Sequence, residues 1–492
     1  MRLVLFIALW LSLLLWTGSA SAQSRLITVE LGVAGEMTPG AWNPLRVSLR
    51  DQPPLDFILQ IDQGSLREGP RLVRYSARLT GGSGIRVFED DVFLPAWRSM
   101  SWQLRDGAVV LVSGSFERGP LDLGPLQLVV AESLGARRAL LEPELRAVDV
   151  LPSELPERLA AYDGVATVII DPSAAAPRPE AVVAAAAAGA TVVLLEPLSA
   201  SHRALARLAP EPAQRLGVGW LVRAPEAEAA RYLRELDRLD TGALTGSLIS
   251  AELRQGPTVV PLLTVLLLVA GYSTAVLLFV RYGGMAGYLA SLALALIVGL
   301  TAYGSLRPEQ EEALRSRQLV LGGGPLAWRQ PVQVYFSLAD GSRRFEGPAR
   351  ALEASEWQAD QAGLELAVAR WRSVAVAQRP SLQEAGLRWR EGRLENLTSA
   401  PLTDVYVLGL GPQSDLGSGD ALEPRRDVNN TSEEVAMMGE SYAALAALLP
   451  EGSALARRGA AVHVALPPPG PRLVTTQETA RETAWGTVRE TP

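Results

Sequence analysis

The chain has 492 residues, enough for about three domains, with 46 basic and 53 acidic side chains and a formal net charge of −7. The negative balance argues against nucleic acid as a partner, because phosphate binding rewards a basic surface. The absence of cysteine excludes disulfides, thiol catalysis and Cys-ligated zinc, and only two histidines, His202 and His463, are available to a metal.

The N-terminus predicts a cleaved signal peptide over residues 1–22. Arg2 is followed by the short apolar run Leu3–Trp16, and small residues then end in Ala20-Ser21-Ala22. The run is too short to span a bilayer with ease, and its A-x-A ending is the pattern that signal peptidase recognises. We therefore expect an exported protein, with an uncleaved signal anchor as the alternative.

Residues 24–118 have the pattern of an antiparallel β-sandwich. Short runs of alternating apolar and polar residues are separated by Gly and Pro, without a long helical pattern between them. Trp42 is interpreted as a buried residue of this sandwich rather than as a binding aromatic. The runs are Leu26–Leu31, Leu45–Leu49, Phe57–Ile61, Ile85–Phe93 and Ala108–Val112.

Residues 124–240 predict a flavodoxin-like α/β domain. Continuous apolar runs alternate with helical patterns, which is typical of a parallel sheet covered on both faces. Helices are expected over Pro179–Ala188 and Pro225–Leu239. The predicted strands are Leu126–Val130, Ala147–Leu151, Val165–Ile170, Thr191–Leu195 and Gly219–Val222.

Folds of this kind bind ligands at the carboxyl ends of the strands. Asp171 and Ser173 follow the third strand and partly match the D-x-S-x-S metal motif of von Willebrand-type domains, but Ala175 replaces the last serine. His202 follows the fourth strand, three residues after Ser199, without an acid in a recognised motif. A turn at Asp171 and a solvated helix start at His202 are favoured. We predict no catalytic, cofactor-binding or metal-binding residue, and no cofactor.

Residues 258–304 predict a transmembrane hairpin. The segments Val259–Val280 and Ala286–Tyr303 are uncharged and long enough to cross the hydrocarbon core. The positive-inside rule places Arg281, in the short loop between them, in the cytoplasm, so both soluble regions are expected outside. The predicted location is the bacterial inner (plasma) membrane.

Small residues recur every fourth position along the second predicted span. Such a face allows close approach of helix backbones, either within the hairpin or against the helices of another envelope protein. The residues are Gly287, Ser291, Ala295 and Gly299.

Residues 315–475 predict a mainly β domain, followed by a polar tail or edge strand over 476–492. A loop is expected over Pro412–Asn430 and a helix over Glu433–Leu449. His463, in the apolar run Ala460–Leu466, is interpreted as a core or edge histidine. The predicted fold class is thus multidomain, α/β plus β, with two transmembrane helices.

Short stretches along nearly the whole chain carry a family resemblance: Gly40–Val47, Leu151-Pro152, Tyr162–Val165, Gly189–Val193, Phe279–Arg281 and Asn396–Val407. In them the chain resembles a group of uncharacterised bacterial envelope membrane proteins. These have a signal peptide, a β-sandwich, a glutamine-amidotransferase-like α/β domain, two helices and a terminal β-domain. Class I amidotransferases use a nucleophilic Cys, so for this chain the resemblance implies the fold without that activity.

These patterns favour a membrane-anchored extracytoplasmic scaffold or sensor without catalysis of its own, which binds envelope proteins or a cell-wall ligand. One alternative is a subunit of a transport or assembly complex. Another is a hydrolase or transferase that uses Asp171, Ser173 or His202 at the strand ends, which requires these groups to converge in one pocket.

Overall fold

The computed structural model describes residues 27–64, 72–116, 124–131, 140–254, 262–285, 287–289, 291–294, 314–337, 340–352, 357–369, 372–425 and 440–468. The first part of the chain forms seven strands. They are β1 (Ile27–Leu31), β2 (Ala41–Gln52), β3 (Leu55–Asp62), β4 (Leu72–Leu79), β5 (Gly82–Leu94), β6 (Ser99–Asp106) and β7 (Val109–Phe116).

These strands form two facing antiparallel layers. One sheet has the order β1-β2-β5, and the other contains the run β4-β3-β6-β7. In β3 every second side chain is fully buried, from Leu55 through Phe57 and Leu59 to Ile61, because successive side chains of a strand point to opposite faces. Trp42 is also buried and meets Phe93 edge-on at 5.9 Å between ring centroids.

The second part is a mostly parallel sheet. Its strand order is β9-β8-β10-β11-β13, with β12 antiparallel to β13 at one edge. Numbered in chain order, the parallel strands thus lie side by side as 2-1-3-4-5. The second strand, β9, lies on one side of β8 and all later strands lie on the other, so the order switches between β8 and β10. The strands are β8 (Leu126–Val130), β9 (Arg146–Asp149), β10 (Val165–Ile170), β11 (Thr191–Leu195), β12 (Ala213–Leu216) and β13 (Gly219–Ala224).

Helices cover both faces of the parallel sheet. Pro179–Ala188 begins at a proline and ends at Gly189, whose φ of 122° suits a residue without a side chain. Its alanines are buried on both sides because the helix lies between the parallel sheet and a further sheet. Further helices with described bounds are Arg203–Leu208, Glu226–Glu235, Thr241–Arg254, Leu262–Tyr282 and Glu440–Ala446.

The C-terminal part is rich in strands. Its largest sheet has the order β17-β20-β15-β14-β28-β27-β24-β25, with β21 also paired to β15, and β22-β23-β26 form a small sheet. The strands are β14 (Leu314–Gly323), β15 (Leu326–Phe336), β16 (Gly341–Glu346), β17 (Ala349–Leu352), β18 (Trp357–Asp360), β19 (Gly363–Val368), β20 (Ser373–Gln378), β21 (Ser381–Glu384), β22 (Leu387–Arg390), β23 (Arg393–Asn396), β24 (Thr403–Val407), β25 (Gly411–Pro412), β26 (Ala421–Leu422), β27 (Ala454–Arg458) and β28 (Ala461–Ala465).

Strands from the two ends of the chain share one sheet. Its order is β16-β19-β18-β4-β3-β6-β7, in which β18 runs parallel to β4 and pairs Trp357 with Val73 and Ala359 with Tyr75. Trp357 is buried in the same hydrophobic cluster as Trp42 and Phe57. The C-terminal part therefore completes the N-terminal sandwich.

The predicted transmembrane hairpin is wrong: within the described ranges there is no helix that combines the length and the apolarity required to cross a membrane. We therefore correct three predictions: the fold class with two transmembrane helices, the membrane location and the placement of Arg281 in the cytoplasm.

Several sequence predictions fall outside the described residues. These are the signal peptide over 1–22 and the tail over 476–492. Ala295 and Gly299 of the small-residue face also lie outside the described residues. Ser291 of the same face is buried, and its hydroxyl donates a hydrogen bond to the Gly287 carbonyl at 2.8 Å.

Candidate functional site

The carboxyl end of β10 carries Asp171, which is buried. Its Oδ1 accepts hydrogen bonds from the backbone N–H and from the hydroxyl of Ser173, both at 2.8 Å. Asp and Ser favour such local turns. The segment is therefore a turn, and the helix that follows begins only at Pro179.

His202 lies after β11, in a short 3₁₀ turn before the helix Arg203–Leu208. His202 thus lies at a helix start, as predicted, but the prediction that it is solvated is wrong, because the imidazole is fully buried. Its Nδ1 lies 2.7 Å from the hydroxyl of Ser199 and 3.1 Å from that of Ser201, and both serines are exposed. Burial lowers the pKa of His202, and the negative charge of Asp171 partly offsets this effect. The imidazole is thus neutral at neutral pH.

This group does not form a Ser-His-Asp triad. In a triad one imidazole nitrogen contacts the nucleophile, and a carboxylate accepts a hydrogen bond from the other. Here two serines share Nδ1, while Nε2 of His202 is buried without a hydrogen-bond partner. Among the described residues there is also no group of three or more His, Asp or Glu side chains that could hold a metal ion.

A second polar cluster is built on Asp90 and Asp91, adjacent buried residues of β5. The hydroxyl of Tyr75 donates to Oδ2 of Asp90 at 2.5 Å. Arg379 donates to Oδ1 of Asp90 at 2.8 Å and lies 3.5 Å from Oδ2 of Asp91. Arg158 forms an ion pair with Oδ1 of Asp91 at 3.1 Å and donates to the Asp90 carbonyl at 2.9 Å.

The cluster joins the three parts of the chain. Asp91 belongs to the N-terminal sandwich, Arg158 to the parallel-sheet part and Arg379 to the C-terminal part. Burial raises the pKa of Asp91 to about 6, although both arginines act to lower it. Moving the charges of a buried ion pair out of water costs free energy, and only short contacts between the charged groups offset that cost.

A small cavity lies beside this cluster, lined by Trp42, Tyr75, Asp91, Phe93 and Trp357 among others. Its volume is about 10 Å³, which is the room needed by one water molecule. A substrate of ordinary size does not fit. The acidic pair is thus a joint between parts of the protein rather than a binding pocket.

A second joint lies next to the first. The backbone N–H of Trp42 donates to Oδ2 of Asp163 at 3.2 Å. Burial raises the pKa of Asp163, and the charge of Arg350 opposes this. Arg350 donates to the Gly40 carbonyl at 3.3 Å and stacks 4.8 Å above the ring of Phe93.

The opposite end of the sandwich exposes a group of apolar side chains. β5 begins at this end, because Gly82 pairs with Gln52 next to the turn between β2 and β3. β7 begins there too, because Val109 pairs with Asp106, the residue after the last one of β6 that pairs with β3. We call this group the sandwich tip. Its members are Ile85 (63% exposed), Val87 (45%), Val109 (62%), Val110 (45%) and Leu111 (46%).

Comparisons of the chain with protein-family models, with curated proteins and with solved structures found no match. The family resemblance of the sequence therefore stays a prediction.

Sequence reasoning predicted no site residue, named Asp171, Ser173 and His202 only for the alternative enzyme, and missed both joints and the sandwich tip. One signal for the acidic cluster was available in the run Glu89-Asp90-Asp91, since acids that continue into an apolar stretch of strand are seldom buried without partners. The partners Arg158 and Arg379 could not be identified, because they come from distant parts of the chain.

Proposed function

We propose that this chain is a non-enzymatic scaffold that binds a protein partner through the sandwich tip. The observation that carries the proposal is the exposure of five apolar side chains, from two strands, at one end of the sandwich. Exposed apolar side chains grouped in one region of a folded protein are typical of an interaction site. The tip also lies away from both joints, so a bound partner does not interfere with them.

The state of the polar groups at the strand ends supports the absence of catalysis. Oδ1 of Asp171 accepts hydrogen bonds from both the backbone N–H and the hydroxyl of Ser173, which closes a local turn. His202 has no exposed surface through which it could contact a substrate. Although its Nδ1 reaches the hydroxyl of Ser199, no carboxylate orients the imidazole through Nε2.

The two joints support a scaffold role in another way. Asp91, Arg158 and Arg379 hold the sandwich against the rest of the chain, as do Asp163 and Trp42. Together with the shared sheet, these contacts fix the direction in which the tip points. A rigid frame lowers the entropy lost when a surface binds its partner.

The proposal is tested by site-specific photocrosslinking in the native cells. A photoreactive amino acid replaces Val110 in the tagged full chain, and a matched chain carries it at Leu151. Leu151 is 62% exposed and lies in the parallel-sheet part, far along the chain from the tip. We expect a single major adduct from position 110 and none from position 151. Equal adducts from both positions, or none from position 110, would contradict the proposal.

A further inference from the structure

Strand β7 carries one residue more than the strand beside it. Leu104 of β6 pairs with Val112. The next residue of β6, Arg105, pairs with Val110 rather than with Leu111. Leu111 therefore has no partner on β6, which makes it the extra residue of a β-bulge. Bulges at the edges of sheets change the direction of nearby side chains or interrupt strand pairing.

The pairing at the bulge sets the face on which Val110 lies. Leu104 is fully buried in the sandwich core, and its neighbour Arg105 points to the opposite face because side chains alternate along a strand. Directly opposed residues share a face, so Val110 lies with Arg105 on the outer face of the sheet. The result is two adjacent apolar side chains, Val110 and Leu111, that are each nearly half exposed.

The bulge also limits how a partner can bind. β7 is an edge strand among the described residues, since it pairs there only with β6. A strand that is added to such an edge needs a regular row of outward N–H and C=O groups. The bulge interrupts this row, and only Val109 and Val110 of β7 precede it. Because bulges are one means by which edge strands avoid pairing, a partner at the tip is expected to contact side chains rather than to extend the sheet.

A positive charge lies beside these apolar side chains. Arg105 shares its face with Val110 and donates from Nε and Nη2 to Oε1 of Gln103, at 3.1 Å and 2.6 Å. Asp56 lies opposite Arg105 on β3, but its carboxylate pairs with Arg78 at 2.6 Å. The guanidinium of Arg105 is thus held in place by a neutral group. A carboxylate on the partner would complement its charge.

We propose that Leu111 is the anchor residue of the sandwich tip, and that the partner is a folded protein with an apolar pocket for this side chain. A carboxylate at the rim of that pocket lies beside Arg105. The inference rests on the proposed function and names the kind of partner and the residue that selects it. An aliphatic side chain that fills a pocket on the partner is a common centre of a protein interface.

Deletion of Leu111 is the most direct test, because it removes the bulge and leaves the other residues of β7 opposite their present partners on β6. The readout is the adduct that a photoreactive amino acid at position 110 of the full chain forms in the native cells. We expect the deletion and Leu111→Ser to lower the yield of this adduct at least about tenfold, and Leu111→Met to keep it. Thermal unfolding of each purified variant checks that the fold is intact.

An added strand would give the opposite result, since the deletion makes the edge of β7 regular. An adduct that survives both the deletion and Leu111→Ser therefore overturns the inference.

Arg105→Gln tests the rim of the pocket, with Arg46→Gln as the matched control. Arg46 lies on β2 and pairs with Glu89 at 3.6 Å. We expect Arg105→Gln to lower the yield about threefold and Arg46→Gln to leave it unchanged. Equal yields from these two variants overturn the carboxylate at the rim. If position 110 gives an adduct that does not depend on Leu111, the proposed function stands and this inference fails. If position 110 of the otherwise unchanged chain yields no adduct, both fail.

Discussion

Arg379 lies 2.8 Å from the carboxylate of Asp90, a residue 289 positions earlier in the chain. This ion pair closes the molecule on itself, because Asp90 is in the N-terminal sandwich and Arg379 follows β20 in the C-terminal part. The pairing of β18 with β4 reinforces the same closure. The parts before and after the helix Leu262–Tyr282 therefore form one frame.

The first prediction concerns Asp91 and the pH dependence of stability. Because burial raises its pKa from 3.8 to about 6 in the folded state, the folded chain retains this proton at a pH where the unfolded chain has lost it. The stability that Asp91 contributes is complete below about pH 4 and is lost as the pH rises through 6. We expect the free energy of unfolding of the parent, relative to Asp91→Asn, to fall by about 3 kcal/mol between pH 4 and 7.

Denaturant titration of both chains at several pH values measures this difference. Parallel pH profiles for the parent and for Asp91→Asn would show that Asp91 ionises in the fold as it does in a peptide, and would contradict the burial argument.

The second prediction has the opposite sign and concerns His463 on β28. Burial lowers its pKa from 6.5 to about 4, and the charge of Arg458 acts in the same direction. The folded chain keeps this imidazole neutral, so its contribution to stability is present above pH 6.5 and is lost as the pH falls towards 4. The parent should lose about 3 kcal/mol relative to His463→Gln over that interval. A constant difference between the two unfolding curves would rule this out.

The third prediction tests the close packing beside the helix Pro179–Ala188. A Cβ on Gly219 would lie 2.3 Å from the Ala190 carbonyl oxygen and 2.6 Å from that of Ala186. We expect Gly219→Ala to destabilise the protein by at least about 2 kcal/mol, since a rigid backbone cannot move aside. The control is Gly246→Ala in the helix Thr241–Arg254, where nothing lies within 4 Å. It should stabilise by about 0.5–1 kcal/mol, and thermal unfolding distinguishes the two outcomes.

The fourth prediction concerns the exposed serine next to His202. Although its hydroxyl lies 2.7 Å from Nδ1, Ser199 should not react with a fluorophosphonate probe, because no carboxylate accepts a hydrogen bond from Nε2 of the imidazole. Intact-protein mass spectrometry gives the readout, with a serine hydrolase in the same reaction as the positive control. Labelling at Ser199 that His202→Ala abolishes would establish a nucleophile and contradict a purely structural role.

The parallel sheet was accessible to sequence reasoning, because its strands are continuous apolar runs. Leu126–Val130, Val165–Ile170 and Thr191–Leu195 have the same bounds in the structure as in the sequence prediction, and so has the helix Pro179–Ala188. In each case the turn or glycine that bounds the apolar run also bounds the element.

Contacts between distant parts of the chain could not be predicted. The pairing of Trp357 with Val73 leaves no local pattern, since any exposed edge offers the same backbone groups. Partners for Asp90 and Asp91 were hidden for the same reason. The transmembrane hairpin was predicted from the length of two apolar segments alone. The burial of His202 could not be predicted either, because it depends on residues that are distant in sequence.

The measurement that tests the scaffold proposal most directly is quantitative affinity purification of the tagged chain from its native cells. Three forms are compared: the parent, Val110→Asp at the tip and Leu151→Asp as the exposed control. We expect a protein partner in stoichiometric amount with the parent and with Leu151→Asp, and at least about a tenfold loss with Val110→Asp, as for a central interface residue. Equal recovery of the partner by all three chains would show that the sandwich tip is not the binding surface.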